Sequence, residues 1–300
     1  MSQPPTVPPE ESRLVIAQGI GELAPRYDGF IIDVWGVLHN GIAPYPGVVE
    51  TLHRLKSEGK HLCILSNAPA RAEVVSHRIA QIGVPRDAYD HIMTSGEEVW
   101  QHLFHRLDDF YQGLGQRCLH LGPVRDDHIM VGLPFERVHT PAEADFILNT
   151  GPNGPEDSIE PYRGLLDDAL ARNLPMICAN PDLTVMRGNT TLICAGSLAR
   201  YYEQKGGFVR WHGKPFGGVY ATCFKLLGLS DKSRIVGIGD SPRTDVAGAR
   251  GAGIDSVLVA GGLHANELGY MPGQPLDRTR VRQALEGNCH PTYVIGRLNW

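Results

Sequence analysis

Four stretches of the chain carry side chains whose types could do chemistry together. Asp33 follows the apolar run Phe30-Ile31-Ile32 and precedes Val34-Trp35-Gly36. Ser66 and Asn67 follow Leu62-Cys63-Ile64-Leu65, and Lys214 stands between Gly213 and Pro215. Asp240 follows Ile235-Val236-Gly237-Ile238-Gly239, with Asp245 five positions further on. A carboxylate at the carboxyl end of a buried strand is poorly placed for stability and well placed for chemistry. Asp33 and Asp240, with a main-chain oxygen from the first loop, suit an octahedral Mg²⁺. Asp245 could hold a metal-bound water or Lys214. The Ser66 hydroxyl, nearby backbone N–H groups and Lys214 suit phosphate oxygens. Two carboxylates alone would repel a phosphate; with the cation and Lys214 the charges roughly balance. Asp33 then reads as a nucleophile that accepts a phosphoryl group.

The elements that must position these groups alternate between strand and helix. Residues 30–32 read as a first strand, followed by a helix with Val48, Leu52 and Leu55 on one face and Gly59 as its stop. A strand over 62–65, a helix marked by Val75, Ile79 and Ile82, and a strand over 92–94 follow. Ser95-Gly96-Glu97-Glu98 reads as a capping box for a helix with Trp100, Phe104 and Leu107 at helical spacing. The middle holds strands over 118–121, 146–148 and 176–179, and a helix through Tyr162, Leu165, Leu166 and Leu170. The pattern resumes with a helix bearing Val219, Cys223 and Leu226, a strand over 235–239, a small-residue helix from Asp245 to Ala252, and strands over 256–259 and 292–295. Short connections between alternating elements predict a parallel sheet with right-handed crossovers. Ligands in such sheets bind beyond the carboxyl ends of the strands, where Asp33 and Ser66 both fall. The fold class expected is α/β: a Rossmann-like parallel-sheet core with an inserted α/β domain. The divisions expected are a disordered arm over 1–13, core over 14–96 and 209–300, and the inserted domain over 97–208.

With these motifs in order, the chain resembles the haloacid dehalogenase superfamily of aspartate-nucleophile phosphotransferases. The likeness is greatest to class IIA, whose large cap is inserted after the second motif. The matching stretches are Asp33-Val34-Trp35-Gly36-Val37-Leu38, Leu65-Ser66-Asn67, Gly213-Lys214-Pro215 and Gly239-Asp240-Ser241-Pro242-Arg243-Thr244-Asp245. Ala179-Asn180-Pro181-Asp182 and Ala195-Gly196-Ser197-Leu198-Ala199 look like segments of that class's cap. The resemblance implies that Asp33 becomes an aspartyl-phosphate, and that Mg²⁺ is held by the Asp33 carboxylate, the Trp35 main-chain carbonyl and Asp240, with Asp245 nearby. It implies that Ser66 and Lys214 bind the phosphoryl group beside Asn67, and that the middle domain closes over the site and chooses the substrate. Asn180 and Asp182 are candidate substrate contacts, with a turn role as the alternative. The function implied is removal of phosphate from a small phosphorylated metabolite.

One position departs from the pattern. Family phosphatases usually carry a second aspartate two residues after the nucleophile, to protonate the leaving group and then activate water. Trp35 occupies that position. An indole N–H is a donor only, so the acid–base role is lost while the main-chain metal contact survives. Such catalysis typically contributes ~10²–10⁴-fold. His39 or a cap residue could substitute. A protein that binds a phosphorylated ligand with little or no turnover is therefore the first alternative. A nucleotide-cofactor oxidoreductase is the second, since Gly237-Ile238-Gly239 follows a strand, but Pro242 stands where a third glycine would be needed.

Bulk properties bound the partners. The net charge of −5 argues against nucleic acid, and no run is long enough to span a bilayer. The proline-rich start has neither a basic segment nor an apolar signal core. Six cysteines, none in a C-x-x-C pair, read as reduced thiols in a cytoplasmic protein rather than as a zinc site or disulfide framework. Oligomeric state stays open; the resemblance points to a homodimer through the cap.

Overall fold

The computed structural model describes residues 14–156, 158–187, 190–287 and 290–300. The arm expected over 1–13 and Cys289 lie outside the described residues. The first strands are β1 (Val15–Ile16), β2 (Gly29–Asp33), β3 (His61–Ser66) and β4 (His91–Thr94). The middle of the chain supplies β5 (Arg117–Leu121), β6 (Glu136–Val138), β7 (Phe146–Asn149), β8 (Met176–Cys178), β9 (Thr184–Arg187), β10 (Thr190–Ile193) and β11 (Val209–Trp211). The last strands are β12 (Ile235–Gly239), β13 (Asp255–Val259) and β14 (Tyr293–Ile295). The helices are α1 (Val48–Ser57), α2 (Ala72–Ile82), α3 (Ser95–His105), α4 (Asp109–Gln112), α5 (Arg163–Ala171), α6 (Ala195–Gln204), α7 (Gly217–Leu227), α8 (Ala247–Ala252) and α9 (Arg278–Ala284).

A seven-stranded sheet runs in the order β1-β14-β13-β12-β2-β3-β4, and a five-stranded sheet runs β11-β8-β7-β5-β6. Strands β9 and β10 form a separate antiparallel pair that the sequence pattern did not announce. The chain divides into two compact units. One takes in the chain up to Ile64, Ala80–His91 and Cys223–Trp300; the other takes in Leu65–Ile79 and Ile92–Thr222.

In the first unit, β12 pairs in parallel with β2 and with β13, and β14 pairs in parallel with β13 and β1. Every residue of β2 and β12 is buried, as in a parallel sheet covered on both faces. The register sets Ile238 opposite Ile32, so Asp33 and Asp240 leave the sheet at the same end. Val281 of α9 packs with Leu258 of β13 and Val294 of β14 in one apolar cluster.

In the second unit, the two-residue alternation of the strands builds two cores. Leu119, Leu121, Ile147, Met176 and Cys178 pack with Leu166 of α5 and Leu198 and Tyr202 of α6. Cys118, Phe146, Leu148 and Ile177 pack with Val99 and Leu103 of α3 and Tyr111 of α4.

Helix α3 corrects two expectations. Its N-cap is Thr94, whose hydroxyl accepts the Glu97 N–H at 2.9 Å, one residue earlier than the capping box expected at Ser95. Its core face is Val99 and Leu103, while Phe104 is 47% exposed and stacks on Trp100 at 4.6 Å. Leu107, at 54% exposure, lies beyond the helix end. The aromatic spacing therefore marks the outer face. The helix expected from Asp245 is likewise split: Pro242–Val246 is a π-turn, and α8 begins at Ala247.

Candidate active site

Asp33, Asp240 and Asp245 lie together in the first unit. One carboxylate oxygen from each is within 4.8 Å of the others. Their exposures are 9%, 5% and 7%. Asp33 ends β2, Asp240 directly follows β12, and Asp245 sits in the π-turn that Ser241 caps by accepting the Thr244 N–H. Single-turn π segments recur at functional sites because they re-aim one side chain.

Glycines make room for these acids. Gly36 adopts a left-handed φ of +79°, and a Cβ there would stand 1.8 Å from Asp240 Oδ2. A Cβ on Gly262 would stand 2.3 Å from the same oxygen, which accepts the Leu263 N–H at 2.7 Å. A Cβ on Gly239 would stand 2.0 Å from Asp245 Cγ, and one on Gly237 would stand 3.0 Å from Ala249 Cβ. The glycine pair of β12 is thus occupied by Asp245 and by α8. That accounts for the pattern that resembled a dinucleotide-binding turn. The sequence reading passed over Gly36 and Gly262 as site residues; their one signal was position, within the turn after β2 and soon after β13.

Three buried carboxylates at this spacing repel one another and demand a counter-charge. An all-oxygen donor set fits a hard divalent cation such as Mg²⁺. Ser241 N–H donates to Asp245 Oδ2 at 3.1 Å, which fixes that carboxylate's orientation.

Trp35 is 47% exposed. Its indole meets the His39 ring edge-on, with centroids 5.5 Å apart, and a Cβ on Gly41 would stand 2.5 Å from it. His39 is buried, and its Nδ1 accepts the Gly41 N–H at 2.9 Å. Burial holds His39 below the ordinary histidine pKa. It is therefore a neutral imidazole with the proton on Nε2, and a poor acid near neutral pH.

Lys214 belongs to the second unit and is 3% exposed. Asn67 clamps its main chain. Asn67 Oδ1 accepts the Lys214 N–H at 2.7 Å, and Asn67 Nδ2 donates to the Lys214 carbonyl at 3.1 Å. The same Nδ2 donates to Asp182 Oδ1 at 2.9 Å, and Asp182 N–H donates to Asn180 Oδ1 at 3.0 Å. Asn67, Asn180, Asp182 and Lys214 thus form one connected group. In it Asn67 holds the lysine loop and Asn180 closes an Asx turn. Ser66 ends β3, and its Oγ accepts the Ala68 N–H at 3.2 Å. Glu98, read from sequence only as part of a cap, accepts the Gly213 N–H at 3.0 Å and so holds the other side of the same loop. A buried acid in the first turn of α3 was the available signal.

An α/β fold with acids gathered just past the carboxyl ends of its strands holds its candidate site where ligands of such sheets bind. The description haloacid dehalogenase-like hydrolase matches residues 30–135, and a related hydrolase-like description of the same group matches 211–299. A haloacid dehalogenase-like hydrolase from Brucella suis is 35% identical, with a TM-score of 0.79 over 94% of this chain and 100% of that one. The p-nitrophenyl phosphatase of Archaeoglobus fulgidus shares the fold at 23% identity, with a TM-score of 0.70 over 91% and 97% of the two chains. The 5'-nucleotidase YutF of Bacillus subtilis is 21% identical over 80% of this chain and 90% of its own. The chain belongs to the haloacid dehalogenase-like hydrolase family.

Proposed function

We propose that this chain is a divalent-metal-dependent phosphatase of small phosphorylated metabolites that works through an aspartyl-phosphate on Asp33. The observation that carries the reading is the cluster of Asp33, Asp240 and Asp245 within 4.8 Å, packed against glycines that admit no side chain. The phosphatase and nucleotidase names of the relatives support the same substrate class.

An Asp33 carboxylate oxygen attacks phosphorus, and the bond from phosphorus to the leaving oxygen breaks. Water then attacks the same phosphorus, releases inorganic phosphate and restores the carboxylate. Mg²⁺ would be held by Asp33, Asp240, Asp245 and the Trp35 carbonyl. When bound, it offsets the negative charge of the carboxylates and the phosphoryl oxygens. Lys214 and Ser66 hold the transferring group, Asn67 keeps Lys214 in place, and Asn180 and Asp182 contribute from the inserted domain, which acts as the cap. The leaving oxygen takes its proton from solvent, substrate or a cap residue, since neither Trp35 nor neutral His39 supplies one. Esters with good leaving groups are accordingly the favoured substrates. The five described cysteines, all buried and none in a disulfide, suit a reducing compartment, and we assign the reaction to the cytoplasm.

A second reading has Trp35 in its favour: a ligand-binding protein of the same fold with little turnover. One experiment separates the two. Turnover of a panel of phosphomonoesters is measured with Mg²⁺ and with Mg²⁺ withheld, for wild type and Asp33→Asn. Mg²⁺-dependent, saturable turnover that Asp33→Asn abolishes without altering folding is the expected result. Turnover unchanged in Asp33→Asn would remove the nucleophile; binding without turnover in wild type would establish the second reading.

A further inference from the structure

Three side chains of the second unit stand close together and take no part in the reaction above. Glu98 and His102 are four residues apart on α3 and share a face of the helix. His212 follows β11, two residues before Lys214. One ligand-type atom from each lies within 4.8 Å of the other two. The side chains of Glu98 and His212 are 5% and 4% exposed, and His102 is part-buried with its Nδ1 inside.

Its hydrogen bonding is incomplete in a specific way. His102 Nδ1 and His212 Nδ1 are both buried and have no hydrogen-bond partner. His212 Nδ1 nevertheless stands 3.2 Å from Glu98 Oε2. The other nitrogen of His212, Nε2, is hydrogen-bonded to the buried Tyr111 hydroxyl. An unpaired buried polar atom costs ~1–3 kcal/mol, and a buried carboxylate calls for an opposite charge. A divalent cation answers both demands at once. Two imidazoles and one carboxylate are the donor set of open four-coordinate zinc centres. A metal on Nδ1 requires the tautomer in which His212 Nε2–H donates to the Tyr111 hydroxyl, and that contact is in place.

We propose that Glu98, His102 and His212 form a second metal site, selective for Zn²⁺ or a similar borderline ion over Mg²⁺, which ties α3 to the turn carrying Lys214. Imidazole-rich donors prefer such ions, whereas the all-oxygen cluster of Asp33, Asp240 and Asp245 prefers Mg²⁺. The two sites thus sort the two kinds of ion by donor chemistry.

The full chain, freed of metal by chelation and dialysed into excess Mg²⁺, is titrated with Zn²⁺ and separately with Co²⁺. Expected are about one tightly held equivalent of Zn²⁺ and, with Co²⁺, the visible absorption of a four-coordinate site. His102→Ala should abolish both, and Tyr111→Phe should weaken Zn²⁺ binding about 10-fold or more through the lost outer contact. No Zn²⁺ retained against Mg²⁺, Zn²⁺ retained equally by folded His102→Ala, or Zn²⁺ lost in Asp240→Asn in place of His102→Ala would each overturn the site. The wild-type Co²⁺ spectrum decides the matter even where a variant does not fold: octahedral absorption alone rejects the proposal.

Discussion

The side-chain amide of Asn67 pairs with both polar groups of the Lys214 main chain, accepting the N–H at 2.7 Å and donating to the carbonyl at 3.1 Å. A side chain reaching across 147 residues of sequence thus does for one residue's backbone what a neighbouring strand would do. Asn67→Ala removes both of these buried contacts. We expect a loss of ~1–3 kcal/mol of stability, together with a fall in kcat. Thermal unfolding and steady-state kinetics check it; a variant with wild-type melting and wild-type kcat would show that the clamp is idle.

Gly36 is confined by both backbone and space. Its φ is +79°, and a Cβ would fall 1.8 Å from Asp240 Oδ2. Gly36→Ala must displace that carboxylate. A shift of about 1 Å in a reacting group can cost ~10²-fold in rate, so we expect kcat to fall by about that factor. The left-handed backbone adds ~1 kcal/mol of strain. Full activity in the folded variant would show that the position of Asp240 is not critical.

Trp35 stands where a general acid would be expected, and at 47% exposure it holds little of the core together. Trp35→Asp should melt close to wild type and raise turnover of an alkyl phosphate relative to an aryl phosphate by ~10-fold or more, the low end of what general acid catalysis supplies. An unchanged ratio would mean that leaving-group protonation is not the limitation.

Glu97 links acid stability to α3. Burial alone would raise its pKa, but Arg71, the Ala72 N–H and Gln101 outweigh that and leave the carboxyl below its ordinary value. Arg71 Nε stands 2.6 Å from Glu97 Oε2. A carboxyl depressed on folding contributes stability above its unfolded pKa of about 4.3 and loses it as pH falls through the lower folded value. Glu97→Gln should therefore flatten the acid limb of the Tm–pH curve below about pH 4.3. Identical limbs for variant and wild type would remove Glu97 from the acid transition.

Much of the fold was legible in the chain. Strands such as Ile235–Gly239, buried on both faces, are continuous apolar runs ending at an acid, and that pattern survives without any partner in view. The ends of α3, capped at Thr94 where Ser95 was expected and stopping short of Leu107, shift for a local reason. Capping signals shift easily by one residue, and aromatic spacing on a helix does not say which face meets the core. The antiparallel pair of β9 and β10 was missed because its short strands carry no strong alternation.

By itself, the order of residues determined the α/β class, the strand ends that carry Asp33, Ser66 and Asp240, and the tryptophan in place of a usual aspartate. All of these are set by local pattern: apolar runs, turn residues and the acid that follows them. Only the tertiary structure decided that Gly36 and Gly262 make room for Asp240, that Asn67 grips Lys214, and that Glu98, His102 and His212 share one buried space. Apart from Glu98 and His102 on one helix, those relations join residues tens to more than two hundred positions apart. They depend on where packed backbones come within a few ångströms, a distance that no single stretch of sequence encodes.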